Sequence, residues 1–155
     1  MIRLVPVEKK DRELFWNINQ KYLYEMTMYY PDAMDSNGNL HYGYFDEYFT
    51  DTQRKAFFIF NNEIMVGFVM INPYSVINHN PDYTMAEFTI FPTYRRNRLA
   101  MEAVELIFSM YHGKWEIKYN EKNKAARELW TKVTAVYKPS VFHLNEVETV
   151  LEFTN

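Results

Sequence analysis

AEFTIFPTYRRNRLAMEAVEL, residues 86–106, holds a strand, a basic turn and the start of a helix in one unbroken run. The apolar, β-branched character up to Phe91 predicts the strand, and Pro92 stops it. The turn is YRRNRLA, Tyr94 to Ala100, and it opens directly into an apolar helical pattern. The first turn of a helix leaves backbone N–H groups without partners, and the helix dipole favours negative charge there. With Arg95, Arg96 and Arg98 in place, the turn is a seat for a phosphate-bearing ligand.

Working outward, the hydrophobic pattern predicts a run of alternating elements. Ile2 to Val7 reads as a strand and Asp11 to Met26 as a helix, with Leu14, Phe15, Ile18, Tyr22 and Met26 on one face. His41 to Phe49 reads as a short second helix. KAFFIF and IMVGFVMI are strands joined by Asn61-Asn62-Glu63. Tyr83 to Phe91 is the strand before the turn, and Leu99 to Tyr111 is the helix after it, closed by Gly113 as a C-terminal cap. Lys114 to Tyr119 is a strand, Asn123 to Val133 a helix, and Val136 to Leu144 with Val147 to Phe153 a final hairpin. This order predicts a mixed sheet with helices on both faces.

The 155 residues predict one domain, 1–155, long enough to bury a core. Hydrophobic residues make up 48% and aromatics 18%, which excludes a disordered chain. The absence of cysteine excludes disulfides and thiolate metal sites, and the four histidines have no metal-ligand spacing. No run is long enough to span a bilayer and the N-terminus lacks the apolar region of a signal peptide, so a cytoplasmic location is expected. The net charge of −3 is unevenly placed. Tyr22 to Gln53 has no Lys or Arg, whereas Tyr94 to Lys138 carries ten against five Glu. One part suits a cation and another an anion, but the basic residues do not dominate the domain, which argues against nucleic acid.

Residues Glu87 to Val133 resemble the GNAT superfamily of acyl-CoA-dependent N-acetyltransferases, and the element order agrees with that fold over nearly the whole chain. Two motifs carry the resemblance. The family's cofactor turn is Arg or Gln, two variable residues, Gly, one variable residue, then Gly or Ala; here it falls on Arg95, Arg98 and Ala100. A later helix carries Asn, then Ala and an aromatic, and NKAARELW supplies Asn123, Ala126 and Trp130. The resemblance implies an α/β (α+β) fold with a mostly antiparallel sheet of six to seven strands. It implies acetyl-CoA as cosubstrate, held by Ile90, Arg95, Arg96, Asn97, Arg98, Leu99, Ala100, Asn123 and Trp130. The glycine position is occupied by Arg98. A left-handed backbone there costs arginine about 1–2 kcal/mol. A helical φ costs nothing and lets the guanidinium reach a phosphate, so the helical φ is the expectation.

The implied reaction is direct attack of an amine on the acetyl thioester. Glu87, the one acid in an apolar strand, is the expected base, because burial raises a carboxyl pKa. A surface position, or a structural pairing with an arginine, is the other reading of the same residue. The thiolate acid falls to Tyr137, Tyr119 or water, since Trp130 stands in the family's tyrosine place and indole only donates. The acceptor is expected over the acidic, tyrosine-rich segment, at Tyr24, Glu25, Tyr29 and Tyr30, as a small cationic or peptide amine. The competing function is a non-catalytic domain that binds CoA or a partner as a sensor. Monomer and homodimer are both compatible with the apolar final strands.

Overall fold

The computed structural model describes residues 1–155. Ten regular elements run in order: β1 (Ile2–Pro6), α1 (Arg12–Met26), β2 (Lys55–Asn61), β3 (Ile64–Asn72), β4 (Tyr83–Ile90), α2 (Leu99–Met110), β5 (Lys114–Asn120), α3 (Lys124–Thr134), β6 (Ser140–His143) and β7 (Glu148–Thr154). The strands form one seven-stranded sheet in the order β1-β2-β3-β4-β5-β7-β6. Every adjacent pair is antiparallel except β4 with β5. No helix is long and apolar enough to cross a membrane.

Strand alternation divides the buried side chains between two faces. On one face Ile59, Val69, Ile71, Trp115, Ile117 and Leu151 pack under α2 and α3. On the other, Phe58, Phe68 and Met70 pack against Phe15 of α1 and Phe45. Phe15 is wrapped by the rings of Phe45, Phe58 and Phe68 at 5.3–5.8 Å between centroids. Such aromatic packing holds α1 on the β1–β3 half of the sheet.

Three local expectations differ from the structure. His41 to Phe49 makes only a 3₁₀ turn at Asp46–Phe49. Tyr44 has φ +64°, which breaks a helix, and Phe45 and Tyr48 bury one turn's worth of surface without needing more. The strand expected from Val136 begins only at Ser140. Ala135–Tyr137 is a 3₁₀ turn closed by Lys138 at φ +51°, and Pro139 comes next. Gly113 is not the cap of α2, whose C-cap is Tyr111. It lies beneath Asp82, where a Cβ would overlap the carboxylate that accepts from Lys114 N–H at 2.8 Å.

β4 is irregular on both of its edges. It pairs with β5 only from Tyr83 to Met85, so the two parallel strands splay from Ala86 onward. On the other side, Met70 pairs with Glu87 and Ile71 with Met85, leaving Ala86 as a bulged extra residue. The bulge inverts the alternation. Met85 and Phe88 pack on the α2–α3 face, while Glu87 turns to the α1 face. Strict alternation from Met85 would have driven the carboxylate into the apolar core.

Candidate functional site

The splay opens a cavity of about 830 Å³ that runs from the α1 side of the sheet to the start of α2. Its floor is the free edge of β4. Phe91 N–H bonds to Val66 O, so antiparallel alternation sends the N–H groups of Phe88 and Ile90 away from β3, toward the gap. At one end stand Arg95 to Ala100, and along the α3 side Asn123, Ala126 and Trp130. At the other end are Tyr22, Tyr29, Tyr30, Tyr42, Glu87 and Lys118.

The basic turn is built for an anion by its main chain. Arg96 and Arg98 both have φ +69°, flanking Asn97 at negative φ. The expected helical φ at Arg98 is therefore wrong: the backbone keeps the glycine-like conformation at a cost of about 1–2 kcal/mol. Both residues are exposed and both line the cavity mouth. Alternating φ signs turn successive N–H groups to one side as an anion-binding concavity. None of the N–H groups from Arg96 to Met101 donates to another part of the chain. The first three residues of α2 point theirs along the helix axis.

Arg95 does not serve the turn as a free cation. Its Nη1 and Nη2 donate to both carboxylate oxygens of Glu25 at 2.6 and 2.7 Å, and its Nε donates to Ile90 O at 2.7 Å. This also removes Glu25 as a free carboxylate for a cationic acceptor. Much of the acidic block is likewise internally paired. Asp46 accepts from Arg12 at 2.6 Å, and Asp51 accepts from Tyr74 at 2.8 Å with Arg54 3.3 Å away. Asp32 and Glu87 remain at the cavity. Tyr24 lies outside it and is 64% exposed, whereas Tyr29 and Tyr30 line it.

Glu87 accepts a hydrogen bond from Tyr22 Oη at 2.5 Å. Burial pushes its carboxyl up to about 7, against the opposing pull of the Tyr22 hydroxyl, the Lys118 charge and the Tyr42 hydroxyl. Burial likewise raises the Tyr22 and Tyr42 phenols, so both are neutral donors near neutrality. Lys118 is held by Glu148 at 3.0 Å and lies 5.6 Å from the Tyr30 ring centroid. A second carboxylate, Glu116, shows the contrast. It is fully enclosed, outside the cavity, and accepts from Ser75 Oγ and Val76 N–H at 2.6 Å each. Glu116 pins a loop; Glu87 faces open space.

The remaining sequence candidates divide. Asn123 caps α3 through an acceptor contact with Ala126 N–H at 3.1 Å and still lines the cavity. Trp130 packs edge-on against Phe88 at 5.4 Å and forms part of the wall. Tyr137 does not line the cavity: its ring stacks on Phe153 at 5.3 Å, in the α2–β7 packing. Tyr119 is the β5 tyrosine that lines it. Sequence reasoning missed the roles of Tyr22 and Lys118. The available signal was a phenol on the otherwise apolar face of α1, at i+4 from Ile18.

The whole chain superposes on solved structures. An acetyltransferase from Thermus thermophilus superposes with a TM-score of 0.72 at 15% identity, covering 100% of this chain and 97% of that one. This is the GNAT fold. Arabidopsis thaliana NAA60 in complex with acetyl-CoA gives 0.64 at 10% identity, over 99% and 98% of the two chains. Campylobacter jejuni N-acetyltransferase PseH in complex with acetyl coenzyme A gives 0.60 at 13%, over 100% and 99%. No family profile matches the sequence, and no curated protein matches it. The GNAT likeness is therefore carried by the backbone, which accords with the lack of glycine in the turn.

Proposed function

We propose that this GNAT-fold chain, acting as a single domain over residues 1–155, transfers an acetyl group from acetyl-CoA to a primary amine. The observation that carries the reading is one continuous cavity that joins a run of unpartnered N–H groups, Arg96 to Met101, to a half-buried carboxylate at Glu87. The first end suits a diphosphate, and the second suits proton abstraction. NAA60 and PseH, both in complex with acetyl-CoA, support the choice of thioester.

In this reading the gap-facing edge of β4 aligns the thioester, with Ile90 N–H directed at its carbonyl oxygen. The amine nitrogen bonds to the carbonyl carbon, and Glu87 takes its proton, directly or through one water. A carboxyl near 7 is partly ionised at neutral pH and therefore available as a base. Collapse of the tetrahedral species breaks the carbon–sulfur bond, and the thiolate takes a proton from Tyr119 or from water. Asp32, Glu87 and the Tyr29 and Tyr30 rings favour a small cationic amine at the acceptor end.

Titration of acetyl-CoA and CoA into the purified protein, followed by thiol release with polyamines, small primary amines and lysine peptides, tests the reading. Micromolar binding and turnover of at least one amine support it. Binding without turnover of any amine favours the sensor function instead, and no binding removes the transferase and the CoA sensor alike and leaves the partner-binding domain.

A further inference from the structure

Arg95 occupies the first position of the phosphate turn, yet its guanidinium is committed elsewhere. It makes four hydrogen bonds: to both oxygens of Glu25, to Ile90 O, and to Thr89 Oγ1 at 3.3 Å. The partners belong to two different elements. Ile90 and Thr89 end the splayed half of β4, and Glu25 lies in the last turn of α1. Three residues earlier, on the same face of α1, Tyr22 donates to Glu87. Two side-chain bridges thus join α1 to the open half of β4, one at each end of the cavity. Just beyond Glu25 the chain supplies Tyr29 and Tyr30, the acceptor wall.

The charge of Glu25 is the revealing feature. A carboxylate beside a diphosphate seat opposes the ligand, so attraction does not explain its presence. Its bidentate, fork-to-fork geometry with arginine instead fixes distance and direction. We infer that Arg95 and Glu25 form a strap that sets the phosphate turn and the α1 acceptor wall in one fixed relation. Arg95 and Glu25 are positioning residues, and the strap rests on the acetyl-CoA reading of the cavity. Glu25 is the half of the strap with no assigned part in holding the thioester.

The experiment compares CoA binding by calorimetry, and steady-state thiol release, in the wild-type chain and in Glu25→Gln, Glu25→Asp and Arg95→Lys. Attraction and positioning predict opposite signs for Glu25→Gln. If Arg95 is a phosphate ligand restrained by Glu25, neutralising Glu25 frees it and tightens CoA binding. A strap predicts weaker binding, by about three- to tenfold, together with a higher acceptor KM and a smaller change in kcat. Glu25→Asp keeps the charge but shortens the reach, and Arg95→Lys keeps the charge but loses the fork; both are expected to weaken CoA binding as Glu25→Gln does. Arg12→Gln breaks a remote surface pair and serves as the unchanged control. Thermal unfolding of each variant separates lost folding from lost positioning, with Glu25→Asp as the least disruptive. Equal or tighter CoA binding by folded Glu25→Gln, with wild-type binding intact, overturns the strap alone. Absence of CoA binding in the wild-type chain overturns the acetyl-CoA reading as well.

Discussion

The β1–β3 half of the molecule and the splayed half of β4 differ in what they bury and where they open. In the first, Phe15 sits in a ring of aromatics and the clustered buried side chains are apolar; its irregularities, a bulge at Val66 in the β2–β3 pairing and the enclosed, unpartnered amide of Asn19, open onto no cavity. In the second, the strand bulges at Ala86, a carboxylate is half-buried, two arginines hold positive φ, and a run of N–H groups lacks partners. Each departure costs free energy, and all of them border one cavity. A chain keeps such costs where local consistency has been exchanged for function. The contrast is informative because both regions belong to the same sheet.

The largest expected effect tests the costly side. Glu87→Gln should lower kcat by about 10²–10⁴-fold, as removal of a general base does. It should not destabilise the protein at pH 8. The Glu87 carboxyl lies at about 7 in the folded chain against 4.5 as its ordinary value. The folded state therefore holds a proton that the unfolded chain releases between those values, and stability falls as pH rises through that window. The loss above pH 7 is about 3 kcal/mol, and Gln removes it. Thermal unfolding at pH 5 and pH 8 checks the sign. A wild-type thiol-release profile rising with an apparent pKa near 7 checks the same carboxyl in action.

Next in size is the apolar side. Phe15→Ala should cost about 3–5 kcal/mol by opening a cavity among three rings, seen as a lower denaturant midpoint. If Glu87→Gln destabilised the fold as much, the division between the two regions would collapse.

Tyr22→Phe sharpens the comparison at the bridge between them. The phenol donates to the Glu87 carboxylate, and losing that donor favours the protonated carboxyl. The acid limb of the pH–rate profile should move up by about one unit, with kcat at high pH falling much less than in Glu87→Gln. The smallest expected effect is at Arg98. Arg98→Gly relieves left-handed strain but loosens the unfolded chain, so stability should change by less than about 1 kcal/mol. CoA affinity should fall less than tenfold in calorimetry, because the main chain rather than the guanidinium makes the seat. A larger loss would transfer the grip to the side chain.

Much of this architecture is legible in the sequence. The strand, turn and helix of residues 86–106 and the helix that opens at Asn123 come from neighbours in the chain. The failures have a common cause. His41 to Phe49 has helical spacing, but tertiary burial of Phe45 and Tyr48 needed only one turn. Arg95 and Glu25 read as separate ligand-seekers because nothing local to either announces the other. Tyr137 is suggested as a substitute for the phenol that Trp130 displaces, and the stack on Phe153 keeps it out of the cavity.

Periodicity, turn residues and composition settled by themselves most of the order of elements, the layered sheet and the basic turn that opens α2, since each depends on residues within a few positions of one another. Only the tertiary structure decided which way Glu87 points, which phenol meets it and where the Arg95 charge goes. Those outcomes hang on a bulge set by pairing with β3, and on side chains 65 and 70 residues apart in the chain. Contacts at that separation are chosen by the packing of whole elements, and no local pattern encodes them.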